Sequence, residues 1–104
     1  MKLINRLINL ILFLSIIIGQ DLKRDIAGSV LDVDNLEPLP YANIIIQGTG
    51  RGITSDADGH FVLVDVPAEP CTLIISYIGY RTAKIGVDNS IPQGPLEIRL
   101  KLER

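Results

Sequence analysis

Along most of this chain apolar and polar residues trade places every second position, in short runs separated by Gly, Pro, Asp and Asn. A period of two marks a strand with one buried face, and from residue 25 onward nothing repeats apolar positions at helical spacing for three turns. Ile26, Gly28 and Val30 alternate with Ala27, Ser29 and Leu31, which predicts a first strand over 25–32. Pro38 and Pro40 then withhold ladder donors and fix φ, so 36–40 reads as an ordered irregular connection. Ala42, Ile44 and Ile46 share one face of a second strand, 51–54 gives a short third, and Phe61 and Leu63 face inward on a fourth that stops before Pro67. Residues 71–77 are too apolar for an edge and predict a central strand with Leu73, Ile75 and Tyr77 inward. Ala83, Ile85 and Val87 mark a sixth. In the seventh, Leu96, Ile98, Leu100 and Leu102 alternate with Glu97, Arg99, Lys101 and Glu103. Seven short strands with frequent turn signals predict an all-β, antiparallel sandwich over residues 25–104.

The amino-terminal residues follow another rule. Lys2 and Arg6 are the only charges before an apolar run over 10–18 broken by Ser15, and Gly19 supplies a small residue at its end. This layout predicts a secretory signal peptide over 1–19, with 20–24 as a short lead-in. The apolar stretch is shorter than the roughly 20 residues that span a bilayer, which argues against a membrane anchor.

Composition changes the picture in two ways. Without the leader's two basic residues, eight Lys and Arg face twelve Asp and Glu, a net charge of −4 with His60 neutral. Binding duplex phosphate needs clustered cations, so nucleic acid is excluded as a partner. Cys71 is the sole cysteine of 104 residues, which excludes an internal disulfide framework and a Cys-cluster metal site. In an apolar run it reads as a small core hydrophobe.

The turn motifs, taken together, resemble the carboxypeptidase regulatory-like domain. They are Gly28 to Asp32; Pro38 with Ala42, Gly48 and Thr49; Gly52 and Thr54 with Asp56, Asp58, Gly59 and Phe61; and Gly79 with Tyr80. The resemblance covers residues 25–87 or beyond and implies a transthyretin-like seven-stranded sandwich. It also implies a place in exported bacterial proteins, where such a domain stands after the signal peptide of a TonB-dependent outer-membrane receptor, ahead of plug and barrel. With the chain stopping at Arg104, a free-standing secreted domain and the front of a receptor both remain open.

Candidate chemistry is sparse. Asp56 and Asp58 before Gly59 suggest half a calcium loop, but a third acidic position and a distal bidentate Glu are missing, so a tight Asx-type turn is the preferred reading. His60 is the only histidine and reads as a surface residue at a strand edge, with no catalytic triad or cofactor site to join. The enzymatic branch of the transthyretin-like fold ends in a Tyr-Arg-Gly-Ser signature that is absent here. Tyr41, Tyr77 and Tyr80, without any Trp, make a poor carbohydrate platform, and Tyr80 is expected to pack over a sheet end with its hydroxyl bonded. The expected function is therefore a non-catalytic exported interaction domain, partnered by a receptor plug or barrel or by a periplasmic component. The expected contact is the edge of the last strand at Leu96, Ile98, Leu100 and Leu102. The alternative is a secreted module binding carbohydrate or calcium.

Overall fold

The computed structural model describes residues 22–88 and 94–103, so the expected signal peptide lies outside the described residues. Seven strands follow in order: β1 Lys23–Asp32, β2 Asn43–Ile46, β3 Gly52–Thr54, β4 His60–Pro67, β5 Cys71–Ser76, β6 Ala83–Val87 and β7 Leu96–Leu100. They form a three-stranded sheet, β4-β1-β7, and a four-stranded sheet, β3-β2-β5-β6. The β-sandwich predicted from alternation is the observed fold, and β5 lies inside its sheet, between β2 and β6.

Alternation fills the space between the sheets. Val30, Ile98, Leu100 and Val66 from the three-stranded sheet meet Ile44, Leu73 and Ile75 from the other, each at most 1% exposed. At about 25 cal/mol per Å² of apolar area removed from water, this shared core is what holds the two layers together. Gly28 makes room for one large member. A Cβ there would lie 2.7 Å from Phe61 Cζ and from the Leu96 carbonyl, so only glycine lets the Phe61 ring lie across β1.

Two features depart from the period-two expectation. The β1–β7 pairing is parallel, with Val30 beside Ile98 and Leu31 beside Arg99, whereas the sequence pattern suggested antiparallel strands throughout. Alternation is the same for both directions, so the hydrophobic pattern carries no information on strand polarity. Second, β4 runs through Pro67, opposite Lys23, instead of ending before it. A proline is tolerated there because β4 is an edge strand. Between these ends the register slips, Ile26 facing Leu63 and Arg24 facing Val66. The extra residue is a bulge near Asp65, whose φ is 54° and whose N–H donates to Asp25 Oδ1 at 3.1 Å. The bulge returns Val66 to the core three positions after Leu63 instead of two.

The sandwich is closed at its sides by hydrogen bonds between sheets. Arg51 donates from Nη1 to the Asp65 carbonyl at 2.9 Å and from Nη2 to the Val64 carbonyl at 2.6 Å, covering the β4 edge beside β3. On the opposite side the chain leaves β7 and crosses to the other sheet. The Arg81 N–H donates to the Lys101 carbonyl, the Glu103 N–H donates to the Gly79 carbonyl, and Leu102 bridges to Tyr80. Arg24 ties a third place, donating to the carbonyls of Glu69 and Asp88.

Candidate functional site

Asp32, the last residue of β1, is 3% exposed and fully engaged. Its Oδ1 accepts the Asp34 N–H at 2.7 Å and the Asn35 N–H at 3.2 Å, turning the chain after β1. Its Oδ2 accepts the Tyr80 hydroxyl at 2.5 Å. The Tyr80 hydroxyl, then the Asp34 N–H, hold the Asp32 carboxyl below its ordinary value, against the opposing effect of burial. The same bond, helped by burial, pushes the Tyr80 hydroxyl up to about 12. Tyr77 meets the Tyr80 ring edge to face, with centroids 5.5 Å apart at 69°. Two of the three tyrosines are thus occupied with each other and with Asp32, an arrangement that pins the 77–80 turn onto the end of β1.

The turn before β4 is built around Asp56. Its Oδ1 accepts the N–H groups of Asp58 and His60, both at 2.9 Å, and Gly59 takes a φ of 79°. The His60 N–H is the main cause of a lowered Asp56 carboxyl, with burial opposing it. The turn brings Asp56, Asp58 and the His60 ring within 4.8 Å of one another, all exposed, a grouping in which the sequence reading had not included His60. Calcium takes six to eight oxygen ligands, and an imidazole nitrogen beside two carboxylates is a poor match for it.

Ser55 is the polar residue that sequence reasoning missed. It is 1% exposed; its hydroxyl accepts the Ala42 N–H and donates to the Leu39 carbonyl, both at 2.8 Å. Its carbonyl accepts the Tyr41 N–H at 3.0 Å. These three bonds clamp the 39–42 segment and hold Tyr41 at a φ of 62°, where non-glycine residues are rare. The Tyr41 side chain is 66% exposed as a result. A serine in a polar turn gives no sign in sequence that its hydroxyl is buried against a distant loop.

The other turn residues sit where strands reverse. Thr49 caps the β2–β3 hairpin, donating to the Ile46 carbonyl at 2.8 Å and accepting the Arg51 N–H at 3.0 Å, with Gly48 at φ 82°. Pro38 bridges to Leu31, Thr54 pairs with Asn43, and the Ile45 side chain lies over Gly52. Gly79, at φ 86°, allows the turn that delivers Tyr80. At the terminal strand, β7 is the outer strand of its sheet; Ile98 and Leu100 point into the core, Leu96 is half-buried, and Glu97 and Arg99 form an exposed ion pair at 3.0 Å. Leu102 lies beyond the strand, in the crossing segment. The four leucine and isoleucine side chains are therefore turned away from the edge itself, which is made of backbone.

The described residues thus form a two-sheet sandwich whose loops are clamped by Asp32, Tyr80 and Ser55. Residues 26–104 match the CarboxypepD_reg-like domain family, and the chain belongs to it. Among curated proteins it is similar to TonB-dependent receptor P39 of Formosa agariphila, 30% identical over 81 residues covering 78% of this chain. It is also similar to TonB-dependent receptor P3 of the same organism, 35% identical over 65 residues covering 62% of this chain. The chain spans only 7% and 6% of the length of these two relatives.

Proposed function

We propose that the chain is a non-catalytic accessory domain of a TonB-dependent outer-membrane receptor, exported by the signal peptide over 1–19 and acting on the periplasmic side by binding protein. The observation that carries this reading is the family match across the whole sandwich, joined to relatives that are receptors and devote a small share of their length to the matching segment. The contact assigned to this function is the edge of β7, which no other described strand pairs with, where backbone groups can take up an extended strand while the Glu97–Arg99 pair keeps the edge soluble.

The test is the mass and location of the native product, detected in cell fractions with an antibody against residues 20–104. A band far above the domain's mass, in the outer-membrane fraction, is expected. A soluble band at about 9 kDa, the size of a processed free domain, overturns the reading.

A further inference from the structure

The two outer faces of the sandwich differ in charge. The strands of the three-stranded sheet expose Lys23, Asp25, Asp65, Glu97 and Arg99, whereas the only charged residue in the strands of the four-stranded sheet is Lys84, exposed beside Ile74 on the edge strand β6. On the outer side of that sheet Ile45 stands opposite Ile74, and Asn43 opposite Ser76. Ile45 is 41% exposed and packs over Gly52 of β3. Along the strand direction the face continues into an open groove of about 390 Å³ lined by Pro40, Tyr41, Asn43, Tyr77 and Ile78. Ile78 is 96% exposed at the tip of its turn, and Tyr41 is held out by the Ser55 clamp in a backbone conformation that disfavours it. Strain of this kind persists where the surroundings over-determine it, and here it presents an aromatic ring to the outside.

We propose that this neutral face, from Ile45 to the Tyr41–Ile78 groove, docks the domain against an uncharged, apolar surface of the receptor polypeptide to which it belongs. The inference rests on the receptor reading above and adds the surface and the occupant. The size of the face selects the occupant. Four strands at about 4.8 Å spacing and four or five residues at about 3.4 Å each make a face of roughly 300 Å², and even with the groove it stays in the range of a few hundred Å² usual for a surface patch. A stable complex between separate molecules buries about 800 Å² on each partner. A second copy of the domain would fall short of that. A surface on the same polypeptide would not, because a tether supplies an effective concentration in the millimolar range and makes a weak contact sufficient. Lys84 lies out on the edge strand β6, and the stretch from Ile45 to the groove carries no charge, which favours an apolar counterpart there, since a charged surface would lose water without gaining a partner.

The experiment places a photo-crosslinking side chain at Tyr41, at Ile78 or, as a separate site, at Glu97 on β7, in the natural full-length product in its own cells, with the linked peptides identified by mass spectrometry. Links from Tyr41 and Ile78 to receptor residues outside the domain are expected, and Ile45→Lys should lower their yield at least tenfold. If Tyr41 and Ile78 link to a second copy of the domain, to lipid or to nothing, while Glu97 reaches receptor residues, the docking face is wrong and the receptor reading survives. If no site reaches a receptor polypeptide, both are wrong. A yield from Tyr41 that Ile45→Lys leaves unchanged also overturns the docking face.

Discussion

Gly59 and Gly79 share a positive φ but differ in what surrounds them. A Cβ on Gly59 would come within 2.9 Å of the Val30 carbonyl and 3.0 Å of Pro38 Cβ, whereas nothing lies within 4 Å of one on Gly79. Gly59→Ala should therefore add a clash to the left-handed penalty and cost about 2–4 kcal/mol, against about 1 kcal/mol for Gly79→Ala. Melting curves of the two variants check this, and equal losses would refute it. Ser55→Ala leaves the Ala42 N–H and the Leu39 carbonyl without their buried partner and should cost about 1–3 kcal/mol. It should also release Tyr41 from its φ of 62°, visible as faster amide exchange at Tyr41 and Ala42. The Asp32–Tyr80 pair predicts a stability profile with two falling limbs. Asp32 and Asp56 have lowered carboxyls, so their contribution is present above the ordinary carboxylate range and is lost as pH falls through their folded values. Tyr80 is raised, so its contribution is present below about 10 and is lost as pH rises toward about 12. Tyr80→Phe should remove the alkaline limb and weaken the acid one, as read from melting temperature against pH.

Among the strands, β6 and β7 were legible from alternation and β2 and β5 from short apolar runs, and each buries the predicted face or part of it. What the pattern could not show is who pairs with whom and in which direction. Leu96, Ile98 and Leu100 alternate in the same way beside an antiparallel or a parallel neighbour, so the place of β7 next to β1 depends on the layout of the whole sandwich. The bulge at Asp65 was hidden for a similar reason, since Val66 reads as out of phase until the slip against Arg24 and Ile26 is known. In the candidate site, Gly59 and Tyr80 were visible as turn and corner residues, but Ser55, Arg51 and the outward Tyr41 act on segments 10 or more residues away in sequence. Arg51 also makes a prediction at this scale. Arg51→Lys, with one ammonium in place of a fork serving two carbonyls, should leave the fold intact at a cost of about 1 kcal/mol. Its signature would be faster amide exchange confined to the facing edges of β3 and β4.

For the molecule as a whole, β7 belongs to the core before it belongs to any interface. Removing residues 96–104 strips out Ile98 and Leu100, each 1% exposed, and each such loss is worth about 2–5 kcal/mol. Since a small domain is stable by only about 5–15 kcal/mol in total, the truncated chain should show no cooperative melting transition. A truncation that still unfolds sharply would refute the assignment of β7 to the core. Contact by the β7 edge must therefore be probed by substitutions at Glu97 and Arg99, which leave the inward side chains in place.

The parallel pairing of β1 with β7 has a kinetic consequence. The middle strand of the three-stranded sheet, β1, is the first of the seven strands to be synthesised, and one of its two neighbours, β7, is the last of the seven. Until Ile98 and Leu100 have left the ribosome, Val30 has no cover on that side, and local hairpins such as β2–β3 cannot supply it. Completing the sheet requires a long loop to close, so folding should be slow for a chain of this size and late relative to synthesis. A sandwich that stays open until β7 arrives remains threadable until then, the state that the proposed export demands.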